Sequence, residues 1–559
     1  MKKILTLILT IAFICNLNAQ TFFNQTTYRG AFAPAPTPMW TDGWTEWDPQ
    51  NINYPAPTTT VTGTISTSQN WGPGSVVLLQ GPVYVTNNST LTIAPGVVVR
   101  GSKAISGSAL IITKGSVINA VGTNTNPIVF TSDQAINSRG LGDWGGIILL
   151  GNAALNFTTG VNNIEGLPVS VNSQFGGGSS PNNNDNSGIL KYVRIEYGGY
   201  VYGTNQEINA LTCGAVGKAT TLEYIQTSFT NDDGFEWFGG NVNAKWIVSY
   251  RNLDDDFDTD NGYNGNIQFG LIVRDPSIAD NPAVSTSEGL ESDNDANGTG
   301  ATPLTSGIFS NITMIGPYRG STTNTIAPGY RRAIRMRRNT NLKVFNSVFM
   351  DTQRGIHIDG SSCETNAGNG SIKFKNNIIA GTLQRAVEQN TANTFASNAG
   401  TTTASWFSNH SNDSIHGSMP TFSTILIQPY NYTSPDYRPS STSIALSNAS
   451  FTDAVIAPLT NTTTVGLSTN ENQFSFLDLY PNPTVDACTL TISSNINTKA
   501  TIDVIDLTGR NVLMLSNNVN LFEGLNEFKI NTKELSSGVY FIAVNSSTIK
   551  KTIKLIVTK

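Results

Sequence analysis

Two stretches decide the fold when laid in register: LEYIQTSFTNDDGFEWFGG, residues 222–240, over AKWIVSYRNLDDDFDTDNG, residues 244–262. They start 22 residues apart. Each has an alternating strand, a polar Asn/Asp turn, and a short second strand of apolar–charged–apolar pattern ending at Gly. LKVFNSVFMDTQRGIHIDG (342–360) and IKFKNNIIAGTLQRAVEQN (372–390) repeat the scheme, and ILKYVRIEYGG (189–199) is a looser relative. IFSNITMIG (308–316) followed by YRRAIRMRRN (330–339) splits the same unit with a loop. A recurring unit that cannot bury its apolar face alone must stack on its neighbours. The period and the turns predict an all-β chain whose centre is a right-handed parallel β-helix, one coil per repeat. Phe235, Phe257, Leu290, Ile334 and Ile356 then form an inward apolar ladder, each one coil from the next. A β-sandwich or propeller is the competing architecture, but short Asn-Gly hairpin connections are few inside these segments.

The same pattern extends N-terminally through GPVYVTNNSTLTIAPGVVVRGS (81–102), SALIITKGSVINAVGT (108–123) and GDWGGIILLG (142–151), so the helix is expected over 60–400. Residues 20–59, with Trp40, Trp44, Trp47 and Tyr54 among prolines, are expected to cap its open end; a sugar-stacking platform is the other reading. Residues 401–456 lose the repeat and are expected as an irregular C-terminal cap. Residues 457–472 read as a linker.

The chain has 559 residues, a net charge of −6 and an apparent pI of 5.2. That balance argues against nucleic acid, whose phosphates need a basic face. Residues 1–19 have two lysines, an apolar run and Ala19 before Gln20, which is the pattern of a secretory signal peptide. Cys15 does not turn this into a lipoprotein signal, since Ile14 stands where a small residue is required. No other apolar run is long enough to span a bilayer. Cys213, Cys363 and Cys488 are widely spaced and form no metal motif. A Cys213–Cys363 disulfide is conceivable in an oxidising compartment; buried free thiols are the preferred expectation.

The end of the chain contains YPNP (480–483), DLTGR (506–510), LSSGVYFI (535–542) and the basic terminus KKTIKLIVTK. In this order and spacing they resemble the type A C-terminal sorting domain of the Bacteroidetes type IX secretion system, over 473–559. The resemblance implies handling by the type IX secretion machinery and placement outside the cell or on its surface. The same segment read residue by residue is a small antiparallel, Ig-like sandwich, because alternating strands are punctuated by Gly and Asn. Residues 60–400 resemble uncharacterised Bacteroidetes β-helix surface proteins, through GDWGGIILLG and DDGFEWFGG…NLDDDFDTDNGYNGNIQFG. That resemblance supplies no activity.

The chemistry concentrates in NLDDDFDTDNGYNG, residues 252–265, where five aspartates crowd into seven positions. Register places Glu236, Asp258, Glu291, Arg335 and His357 in one outward row, with Asp232, Asp233, Asp254 and Asp255 in the turns before it. Asp260 and Asp293 follow close by. Oxygen-only donors suit Ca²⁺ rather than Zn²⁺. Three readings stand for Glu236, Asp254, Asp255, Asp258, Asp260, Glu291 and Asp293: a structural calcium site, a row of water-facing turns without metal, or a catalytic site. In the catalytic reading Ca²⁺ neutralises a uronate and Arg335, or His357, removes the proton beside it. Charge compensation between Arg335 and Glu291 is the plainer account of the arginines. His410 and His416 are expected as polar loop residues. The function expected is a non-enzymatic, glycan-binding or adhesin-like module at the cell surface; the alternative is a Ca²⁺-dependent polysaccharide lyase or other carbohydrate-active enzyme.

Overall fold

The computed structural model describes residues 21–461 and 474–559, apart from breaks at 204–205, 322–323, 383, 390–402, 417–423, 495–496, 507–509, 523 and 547–549. The signal-peptide reading falls on residues 1–19, outside the described residues. The chain divides into two compact units, residues 1–464 and 465–559.

Among the described residues of the first unit, 26 strands join in one ladder that coils on itself. All neighbours in it run parallel, and each coil has three faces. Face A holds the short second strand of each repeat: Leu211–Gly214, Phe235–Phe238, Phe257–Asp260, Ser287–Ser292, Tyr330–Met336, Arg354–Ile358 and Arg385–Gln389. The long first strand bends in its middle and supplies faces B and C. The 22-residue period is thus one full coil: Phe235 pairs with Phe257, and Thr221 with Asn243. The expected ladder is continuous through Phe235, Phe257, Leu290, Ile334 and Ile356, each at most 1 % exposed.

The bend between faces B and C explains residues that alternation alone leaves unplaced. Tyr192, Tyr224, Trp246 and Phe269, then Asn311, Asn346 and Asn376, all have positive φ there. Asparagine adopts that conformation at little cost, and an aromatic residue adopts it only with strain. The rings offset the strain by stacking on each other, at 4.4, 4.6 and 6.0 Å between centroids.

The aromatic N-terminal segment flanks the coils instead of sitting over the first one. Asn24 bonds Gln268, Arg29 pairs with Asp413, Trp44 packs edge-on against Tyr192 and Tyr224, and Tyr54 donates to Glu196. The outward side chains of face C are apolar (Val248, Tyr250, Leu271, Val273), so they need a cover along their length. Residues 424–446 cover the same face with Ile425, Leu426 and Tyr437. At the last coil, helix Thr403–Asn409 lays Trp406 and Phe407 on the open core, with Phe407 stacked 5.9 Å from Phe374. Of the segment read as a linker, 460–461 pair in parallel with Phe23–Asn24; 462–473 lie outside the described residues.

The second unit is an antiparallel sandwich. A three-stranded sheet (Phe474–Tyr480, Ala487–Ser494, Gly524–Asn531) faces a four-stranded one (Thr498–Ile505, Asn511–Leu521, Gly538–Ser546, Lys550–Val557). Leu490, Ile492, Ile502, Val504, Ile542 and Val544 fill it. Cys213, Cys363 and Cys488 are free and buried, so no disulfide joins the first two. Cys213 points into the coil core.

Candidate functional site

Each strand of face A pairs in register with the next, so outward side chains fall into rows. One row runs Glu236, Asp258, Glu291, Arg335, His357, Glu388. A parallel row runs Glu288, Arg332, Arg354, Arg385. Charge changes sign along the solenoid: carboxylates hold the first row on the coils of Glu236, Asp258 and Glu291, Arg335 and His357 follow, and Glu388 stands at its far end.

The acids do not sit in open turns. Asp233, Glu236, Asp255, Glu291 and Asp293 are all 7 % exposed or less. Asp232, Asp254, Asp258 and Asp260 are half-buried. The reading of these residues as water-facing turns is therefore corrected. Its physical reason is the insertions between coils, which fold over the row. Asn209 donates to the Glu236 carboxylate and accepts the Asp233 amide at 3.2 Å, and Glu165 hydrogen-bonds Glu236.

Carboxylate oxygens gather in three triads, each within 4.8 Å: Asp232, Asp233 and Asp254; Asp233, Glu236 and Asp258; Asp255, Asp258 and Glu291. Asp233 and Asp258 are each shared by two triads, so the three form a continuous line across adjacent coils. Two full charges at that spacing repel by about 3 kcal/mol at an effective dielectric near 20. Among the described residues, Asp232, Asp233, Glu236, Asp254, Asp255 and Asp258 have no ion pair. Oδ1 of Asp254 and of Asp258 is buried and accepts no hydrogen bond. Desolvation, then neighbouring carboxylates, push the carboxyls of Asp232, Asp233, Glu236, Asp254 and Asp258 well above their ordinary range. Burial and Glu288 raise Asp255 to about 7; burial and Asp255 raise Glu291 to about 8. An all-oxygen donor set that repels itself and leaves lone pairs unused fits a hard divalent cation.

The other expected ligands go elsewhere. Asp260 lies beyond the triads and accepts from the backbone N–H of Asn261 at 2.6 Å. Asp293 is neutralised by Arg337 at 2.8 Å and Arg338 at 2.7 Å. Asp256, in the middle of the acidic stretch, turns away from the row. It takes the Ser249 hydroxyl and pairs with Arg274 at 2.5 Å, both side chains fully buried. The guanidinium of Arg335 spans Glu291 at 3.4 Å and Asp359 at 2.8 Å, the compensation its register suggested. Arg337 also pairs with Glu291. His357 is 4 % exposed, with Nδ1 3.8 Å from Asp359. His410 is not free surface: it packs edge-on against Trp406 at 4.9 Å. Glu165, Asn209 and Arg274 escaped the sequence reading. They stand in insertions or at a coil corner, where the repeat gives no register.

Comparison with known proteins adds the family. Residues 63–420 match the model of a pectate-lyase-like β-helix domain, and residues 478–558 that of a secretion-system C-terminal sorting domain. No match is found among curated proteins. Among solved structures, the Dettilon tailspike protein is 10 % identical with a TM-score of 0.20, covering 56 % of this chain and 62 % of its own. Tailspike protein 2 of the Escherichia coli O157:H7 bacteriophage CAB120 is 11 % identical with a TM-score of 0.22, covering 86 % of this chain and 64 % of its own. The chain thus spans just under two thirds of either tailspike, and likeness at those scores establishes nothing about activity. The β-helix match takes in more than half of the residues, so the protein belongs to the pectate-lyase-like β-helix family, and its sorting domain exports it by type IX secretion to the cell surface or the extracellular space.

Proposed function

We propose that this exported β-helix is a non-enzymatic, calcium-dependent glycan-binding module, with face A as the binding floor. The observation that carries the reading is the line of three interlocked triads, whose six unpaired carboxylates repel one another unless a cation or bound protons neutralise them. Ca²⁺ held there keeps open positions for sugar hydroxyl or carboxylate oxygens, since it accepts six to eight oxygen ligands. The bases considered for catalysis are engaged: Arg335 by two acids, His357 by burial next to Asp359. The lyase reading keeps one point in its favour, that Glu291 belongs to a triad and also touches Arg335.

A glycan array probed with the exported chain, with calcium and with chelator, tests the proposal. Calcium-dependent retention on glycans without an unsaturated product in solution is the expected result. Ultraviolet absorbance from an unsaturated uronate product would replace it with the lyase reading. Retention unchanged by chelator would remove calcium from the account.

A further inference from the structure

Beside the acidic row, insertion 151–187 lines one side of an open-mouthed pocket of about 250 Å³ that the triads do not use. Its floor is Phe238 and its register partner Asp260, with the Asn261 turn alongside. One wall is the small hairpin Asn162–Asn163 with Gln174–Phe175, and the other is the loop at 295–297. Phe175 and Phe238 meet at 6.3 Å, and Phe157 is 38 % exposed at the edge.

The polar groups of the lining are amides and carboxylates. The side-chain amides of Asn162, Asn261 and Asn297 make no hydrogen bond with any described residue. Glu165 and Asp260 bring carboxylates. Asp295 is satisfied by its own loop, accepting from the backbone N–H of Asn297 at 2.8 Å and from the Thr299 hydroxyl at 2.6 Å. Neither lysine, arginine nor histidine lines the cavity among the described residues. An anionic group placed here finds no positive side chain in the lining to pair with. A polyhydroxylated ring meets what it needs: apolar rings for its C–H face, carboxylates to accept from its hydroxyls, and amides to donate to them. The volume lies below the usual range for drug-sized ligands, which fits one ring.

The geometry points to a subsite for a single non-anionic sugar unit, neutral or amino-bearing, gripped by Phe157, Asn162, Asn297 and Asp260. This rests on the glycan-binding reading and deepens it: the cavity meets the cation line only through Glu165, which hydrogen-bonds Glu236, and Phe157, Asn162, Asn297 and Asp260 belong to no triad, so one reading can fail without the other.

The exported chain is titrated by ligand-observed NMR and calorimetry with the methyl glycosides of glucose, galactose, mannose, glucosamine and glucuronic acid. Phe157→Ala and Asn297→Ala are run beside it. Neutral or amino glycosides bind, and glucuronide binds at least about tenfold more weakly, a difference of about 1.4 kcal/mol. Each variant weakens sugar binding by about fivefold or more and leaves the calcium titration unchanged, because neither residue touches a triad. Glucuronide binding as tightly as the neutral sugars overturns the inference. Sugar binding indifferent to both substitutions does so too. If no glycoside binds while glycans are retained on the array, the subsite falls and the wider reading stands. If neither binds, both fall.

Discussion

Asp256 and Asp258 flank the same inward phenylalanine and meet opposite surroundings. Asp256 is paired with Arg274 inside the protein, both fully buried. Removing one partner of such a pair leaves an uncompensated buried charge, so Arg274→Ala is expected to cost about 3–5 kcal/mol in chemical denaturation. A loss under about 1 kcal/mol would show that the pair is not closed. Asp258 lies among carboxylates, and its expected substitution effect has the opposite sign. Without metal, Asp258→Asn removes repulsion and raises Tm by a few degrees, provided the amide finds a neighbouring acid as acceptor. The pH dependence follows from the same groups. The carboxyls of Asp255 and Glu288 are pushed up to about 7, and those of Asp260 and Glu291 to about 8, burial being the first cause in each. The folded chain then holds protons that the unfolded chain has released above its ordinary carboxylate range. Its stability therefore falls as pH rises from about 4 to about 8. In chelator, Tm is expected to be higher near pH 5 than near pH 8, with calcium restoring the loss at pH 8. A higher Tm at pH 8 in chelator would contradict the electrostatics of the row.

At the scale of the coil, the bend between faces B and C stores a residue preference. Asn346 has φ +54°, its amide donates to Ser450 O at 3.0 Å, and its carbonyl takes the Ser450 N–H at 2.8 Å. Asn346→Leu puts a branched side chain into the left-handed region and breaks both bonds, an expected loss of about 2–4 kcal/mol by denaturation. The short strand of each repeat was legible for a simple reason. Phe235, Phe257, Leu290, Ile334 and Ile356 alternate with charged neighbours, and alternation states which side faces the core. That legibility stopped at the insertions. Glu165 and Asn209 reach the acidic row from loops whose path depends on tertiary packing. The burial of the aspartates was hidden with them, because Asp, Asn and Gly are equally the residues of a solvated turn. The tryptophans at 40–47 showed that something apolar needed cover; they did not show that it was the flank of face C instead of its end.

Over the whole chain, the β-helix and the sorting domain are separate compact units. The sorting unit has its own core of Leu490, Ile502, Val504 and Ile542, distinct from the coil core. A chain ending before residue 474 is expected to fold and bind calcium as before, yet to stay in the periplasm when cell fractions are compared. Its appearance in the medium at the full-length level would deny the tail its export role. The central claim concerns the line of triads, and calorimetric titration of the chelator-stripped exported chain with calcium tests it most directly. Triads joined through Asp233 and Asp258 predict binding of more than one ion per chain, released by protons on lowering the pH, and a loss of at least about tenfold in affinity in Asp255→Asn/Asp258→Asn. No heat of calcium binding near pH 8, or binding that the double variant leaves intact, would contradict the account.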